Sequence, residues 1–82
     1  MHDTFLFEKI ATSLFELCEK NNMTKLTDIS VSVFADSHIN DQALYAYLVD
    51  KNNHLIGEWT NVRVDYNNPE RLTAIIHKIE GE

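Results

Sequence analysis

Between Thr4 and about Lys20, the residues Leu6, Phe7, Ile10, Leu14, Leu17 and Cys18 recur at three- and four-residue steps. Glu8, Lys9, Thr12, Ser13, Glu16 and Glu19 fill the other side. The period predicts a helix of about four to five turns, with Asp3 or Thr4 placed to cap it and a carboxylate favoured at the positive end of its dipole. At ~100° per residue Phe5 falls among the polar positions, which leaves a loose first turn or a partner contact to account for it. Asn21-Asn22 ends the helix, and after Lys25 the period changes. Ile29, Val31 and Val33 alternate with Ser30 and Ser32, a half-buried strand of about Thr27 to Ala35 with one small polar face.

The stretch Asp36-Ser37-His38-Ile39-Asn40-Asp41 reads as a loop, and Asn40 is placed to cap a second helix running to about Asp50 through Ala43, Leu44, Tyr47 and Leu48. Asn52-Asn53 stops it. Two strands follow, from about Trp59 to Tyr66 with Val62, Val64 and Tyr66 on one face, and from about Arg71 to Glu80. Asn67-Asn68-Pro69-Glu70 between them reads as a hairpin turn. Ile75 and Ile76 stand side by side, so either a bulge lies there or both faces of the last strand are partly covered. The order α-β-α-β-β predicts an α+β fold, a two-layer sandwich with two helices on one face of a three-stranded mixed sheet. The first strand rejoins the sheet by a crossover through the second helix, and the last two strands pair antiparallel.

Composition narrows the function more than the fold. Eighty-two residues with 44% hydrophobic and 24% charged positions suit a single globular domain over residues 1–82, and Gly 2 with Pro 1 argues against disorder. The formal charge of -6 is spread along the chain and would repel phosphate backbones, so nucleic acid is a poor partner. No apolar run approaches the ~18 residues that span a bilayer, and Asp3 and Glu8 stand where a signal peptide would carry lysines. Cys18 is the only cysteine, which excludes an internal disulfide and any CxxC motif; a cytoplasmic protein is expected.

Candidate chemistry concentrates at the start, Met1-His2-Asp3. A free α-amine on Met1, the deprotonated backbone amide of His2 and its imidazole can close two fused chelate rings around one ion, with the Asp3 carboxylate close by. Nitrogen and oxygen donors in one plane suit Ni(II) or Cu(II) better than zinc, whose sites are tetrahedral and thiolate-rich. An α-amine titrates near about 7.7–8.0, so metal affinity is expected to rise with pH. A second-position histidine is also often a frayed terminal residue.

Elsewhere the chemistry is sparse. Of His38, His54 and His77, which share no ligand-like spacing, only His38 is a candidate. Cys18 lies on the core stripe and reads as a small hydrophobe. Ser13, Ser30, Ser32 and Ser37 have no paired base in recognisable spacing, and Gly57 and Gly81 cannot build a phosphate loop, so an enzyme is not expected. Exposure of Phe5 and Trp59 together would point to a protein-binding patch.

The Met-His-acid start, the element order and the run Lys25-Leu26-Thr27-Asp28-Ile29-Ser30-Val31-Ser32-Val33 followed by a loop and Ala43-Leu44 together resemble the HypA family of nickel metallochaperones, which serve hydrogenase and, in some organisms, urease maturation. The likeness covers nearly the whole chain, with the first three residues its one sharp motif. It implies Ni(II) held by Met1, His2 and Asp3, with a nickel-handling GTPase or a hydrogenase precursor as partner. In the family the third residue is glutamate; Asp3 is one methylene shorter. A further acid precedes the second helix in some members, a position that falls on Asn40 here, so Asp41 or His38 is the substitute ligand. The family's zinc module, with two CxxC pairs between the last two strands, is replaced by the turn from Asn67 to Arg71. A reduced, zinc-free nickel-binding domain is therefore expected, its oligomeric state open. The alternative is a metal-free interaction module, or a divergent regulator that has lost nickel delivery.

Overall fold

The structure, a computed structural model, describes the backbone from Asp3 onward and complete residues from Thr4 to Glu82. Helix α1 runs Asp3–Lys20, strand β1 Leu26–Val33, helix α2 Asp41–Lys51, strand β2 Asn61–Asp65 and strand β3 Ala74–Gly81. This is the α-β-α-β-β order, and the sheet is three-stranded and mixed.

The apolar stripe of α1 buries Leu6, Ile10, Ala11, Leu14 and Cys18. Its end is set by local hydrogen bonding. Asn22 adopts φ 56, and this left-handed residue lets Met23 N–H reach the Cys18 carbonyl at 2.8 Å and Asn22 N–H reach that of Glu19 at 3.3 Å. The two bonds satisfy carbonyls that a helix end otherwise leaves open. At α2, Asn40 accepts from Ala43 N–H at 2.8 Å, the cap that its position predicts, and Leu44 and Leu48 go into the core. The two helices meet where Phe7 stacks on Tyr47, with ring centroids 5.0 Å apart.

The strand order is β2-β1-β3, with β1 parallel to β2 and antiparallel to β3. This corrects the expected hairpin: β2 and β3 lie on opposite sides of β1 and do not pair. The physical reason is that β1 carries the most apolar inner face, with Ile29, Val31 and Val33 all nearly fully buried. A strand so placed gains most from the centre, where both of its edges are hydrogen-bonded and its side chains are covered from either side. The connection over residues 66–73 is accordingly a bridge across the end of β1. Asn68, itself buried, fastens it there: its N–H donates to the Val33 carbonyl at 3.2 Å, its side-chain amide to Thr73, and its side-chain oxygen accepts from Glu70 N–H.

The Ile75-Ile76 question resolves as a bulge. Ser30 faces Lys78 and Val31 faces Ile76, so His77 is the extra residue. His77 and Lys78 therefore both turn outward, while Ile76 and Ile79 both pack on the core and Ile75 is left 45% exposed. A second irregularity falls at Thr27, between Leu26 opposite Gly81 and Asp28 opposite Glu80.

Boundaries move in both of the last two strands, and the one expected from about Arg71 begins only at Ala74, after the bridge over the end of β1. The expected strand from Trp59 begins only at Asn61, because residues 52–60 form turns that sink Leu55 and Ile56 into the core. The Thr60 hydroxyl donates to the Leu26 carbonyl at 2.6 Å and accepts from Gly57 N–H, holding this segment against the start of β1. Tyr66 lies beyond β2, and its hydroxyl donates to the Ile39 carbonyl at 2.7 Å.

Thr24 and Lys25 N–H groups donate to the Glu82 carbonyl, and Glu82 N–H to that of Lys25, which brings the backbone against Gly81. A β-carbon at Gly81 would overlap the Lys25 carbonyl oxygen. Gly81→Ala is therefore expected to cost about 1–3 kcal/mol, as overpacking does. Asn22→Gly, which relieves a left-handed side chain, is expected to gain up to about 1 kcal/mol. Urea unfolding of the two variants checks both signs.

Candidate functional site

The residues expected to form a terminal chelate, Met1, His2 and the side chain of Asp3, lie outside the described residues. The surroundings into which α1 begins are described. Leu6, in the first turns of α1, lines an open cleft of about 310 Å³ with Phe34, Asp36, Ser37, His38, Arg71 and Leu72. His38 thus stands at the end of the fold where α1 starts. It is held there by its neighbours: Ser37 N–H donates to the Phe34 carbonyl, the Ser37 hydroxyl accepts from Ile39 N–H at 3.2 Å, and Ile39 is fully buried. A turn before His38 and a core anchor after it leave the imidazole exposed on a fixed backbone.

Asp41 goes elsewhere. It sits in the first turn of α2 and lines a different cleft, with Asn40, Tyr45, Thr60 and Asn61. His38 and Asp41 thus line different clefts, and of the two only that of His38 includes a residue of α1, Leu6. No group of three or more His, Cys, Asp or Glu side chains converges as a metal centre among the described residues. Burial pushes the Cys18 thiol above its ordinary value, which suits a core residue and not a thiolate donor.

The cleft beside His38 has an unusual wall. Leu72 adopts φ 62 and is 68% exposed, a strained backbone for a bulky residue whose side chain gains little by burial. Arg71 lies 5.2 Å over the Phe34 ring and 3.9 Å from Asp36, an exposed pair of small energetic weight.

A second polar constellation, on the outer face of the sheet, was not legible from spacing. Ser32 on β1 lies between Asp65 on β2 and His77 on β3; its hydroxyl donates to the Asp65 carboxylate and is 2.6 Å from His77 Nε2. One hydroxyl has one proton. With that proton given to Asp65, the Ser32 oxygen accepts, so His77 carries its proton on Nε2. The expectation that Ser32 lacks a partner base is thereby corrected, since sheet pairing supplies an imidazole and a carboxylate from residues 33 and 45 positions away. Alternation from the core-facing Ile76 turns His77 outward beside β1, and the bulge adds Lys78 to the same face.

The order nevertheless differs from that of an activated serine, in which the histidine stands between hydroxyl and carboxylate and takes the hydroxyl proton. Here serine is the middle member, and at 1% exposure it is covered by its two partners. The arrangement ties three strands together on the wet face of the sheet. The Ser32 hydrogen bond holds the Asp65 carboxyl below its ordinary range, helped by the Asn67 N–H and the charge of His77.

Phe5 and Trp59 are both exposed, 53% and 39%, but they do not form one patch. Lys9 Nζ lies 5.2 Å over Phe5, whereas Trp59 folds over Gly57, donates to the Leu55 carbonyl and lies under Lys25, which precedes β1. Among the described residues no helix is long and apolar enough to cross a membrane.

Comparison with protein-family models, with curated proteins and with solved structures finds no match to the chain.

The Asp65 carboxyl gives a pH prediction with a definite sign. A folded-state value below the unfolded one contributes stability that is present above about pH 4 and lost as pH falls through the folded value. Asp65→Asn is expected to flatten the acid limb of the stability curve while changing its slope little above pH 5. Thermal unfolding midpoints from pH 2 to 7 test this, and parallel acid limbs in the two proteins would count against it.

Proposed function

We propose that this chain binds nickel as cargo through Met1, His2 and Asp3 and passes it to a maturation partner in the cytoplasm, in the manner of the HypA-like proteins it resembles. The observation that carries the reading is the Met1-His2-Asp3 sequence at the start of α1, a helix anchored in the core by Leu6, Ile10 and Leu14. The reading requires Met1 to carry a free α-amine. Amine, amide and imidazole nitrogens give the planar donor set that Ni(II) accepts, and Asp3 adds an oxygen. His38 supports the reading by its place at the end of the fold where α1 begins, and it serves as the additional ligand in preference to Asp41.

Delivery in this scheme is ligand exchange and makes or breaks no covalent bond in a substrate. An exposed terminal chelate can be displaced one donor at a time by an acceptor, such as a nickel-handling GTPase or a hydrogenase precursor, so neither protein has to release a bare ion. Because the amine and amide must lose protons to bind, affinity rises with pH.

A second reading, a metal-free interaction module, draws on the strained and exposed Leu72 beside Phe34. Titration of Ni(II) into protein with its native terminus separates the two. Near-stoichiometric binding is expected, with release of protons. His2→Ala, or residues added before Met1, should abolish it, and His38→Ala should weaken it by about 10- to 100-fold, the scale of a supporting ligand's loss. Equal binding by all four proteins would assign the metal to scattered histidines and leave the interaction module standing.

A further inference from the structure

The flank of α1 that faces away from the core has a pattern the nickel reading does not use. At ~100° per residue Phe5, Lys9, Thr12, Ser13, Glu16 and Lys20 fall within an arc of about 100°, and all six are exposed. Three shallow clefts meet on this arc at Ser13: one toward Phe5 and Lys9 with Glu8 at its border, one toward Glu16 and Lys20 with Glu19 at its border, and one running past Ile10 to Ala74 and Ile76 of β3. The arc therefore borders the open rim of the sheet. Phe5, the apolar residue that helical periodicity places among polar neighbours, is at its N-terminal end.

The charge order along this arc is self-complementary. In a two-fold pairing each contact occurs twice, with the two chains exchanging roles. An antiparallel pairing with its axis between Thr12 and Ser13 sets Lys9 against Glu16 of the second copy and Phe5 against Lys20 of the second copy. The smallest side chains of the arc then lie at the crossing, where helices approach to about 8–10 Å. Lys9 already lies over the Phe5 ring, so the aromatic ring and its ammonium meet the second copy as a unit.

We propose that a second copy of this chain docks on the α1 flank, forming a two-fold dimer centred on Thr12 and Ser13. The neighbouring edge of β3 is a poorer site for strand addition, because the bulge at His77 and the charges of Lys78 and Glu80 interrupt it. The net charge of -6 on each chain opposes association at low salt and is screened over about 8–10 Å at physiological ionic strength. The dimer is thus weak and exchanging, with Kd on the order of 0.1 mM.

Sedimentation equilibrium in 0.15 M salt tests the pairing. Lys9→Glu and Glu16→Lys should each weaken association by about tenfold or more, and the double reversal should restore it, because each contact is rebuilt with opposite sign. Ser13→Cys should form a disulfide-linked dimer under mild oxidation faster than Glu58→Cys, with Cys18 buried and silent. A chain that stays monomeric to about 1 mM, association indifferent to both reversals, or equal cross-linking at Ser13 and Glu58 would each overturn the proposal.

Discussion

The burial of Ile29, Val31 and Val33 on the central strand is the interaction from which the rest of the molecule follows. A chain of this size can build only one modest core, so the strand with the most apolar face must be covered by both helices and paired along both edges. That requirement sends β2 to one side and β3 to the other. It makes α2 a crossover and turns the last connection into a bridge over the end of β1, pinned by Asn68. Leu55 and Ile56, drawn in from a segment that otherwise reads as a loop, close the core at the strand's opposite end.

The same strand decides what stands on the wet face. Two of its outward residues, Ser30 and Ser32, are too short to cover the backbone, and the covering over Ser32 comes from longer side chains of the flanking strands. Asp65 and His77 converge on the Ser32 hydroxyl from opposite sides, each from a strand that pairs with β1. A hydroxyl that gives its proton to a carboxylate of lowered pKa is held, not activated. The resemblance to a nucleophilic trio is one of residue types, and the proton order assigns it to sheet stability.

The candidate chemistry stands apart from this structural network. The wet face of the sheet holds Ser32, Asp65 and His77, whereas α1 begins beside a cleft where His38, Arg71 and the strained Leu72 gather. A cargo site at a helix end has the advantage that its ligands can exchange without disturbing the core. The docking arc proposed along the α1 flank has its centre at Thr12 and Ser13, two turns or more from the start of the helix, and reaches that end through Phe5.

Much of this protein was determined locally and was therefore legible in the sequence. The three-to-four-residue period of α1, the Asn40 cap, the Asn21-Asn22 stop and the alternation of β1 depend on neighbours a few residues away. They set element type, order and the burial of Leu14, Leu44 and Val31. The tertiary structure alone decided which strands pair, because strand pairing joins residues far apart and two partners compete for each edge; a turn-like Asn-Pro segment could as well lead across β1 as back on itself. From that choice came the register that turns His77 outward and the meeting of Ser32 with Asp65. The chelate proposed at Met1, His2 and Asp3 is the reverse case. Its donors are adjacent in the chain, so covalent geometry alone would bring them within reach of one ion.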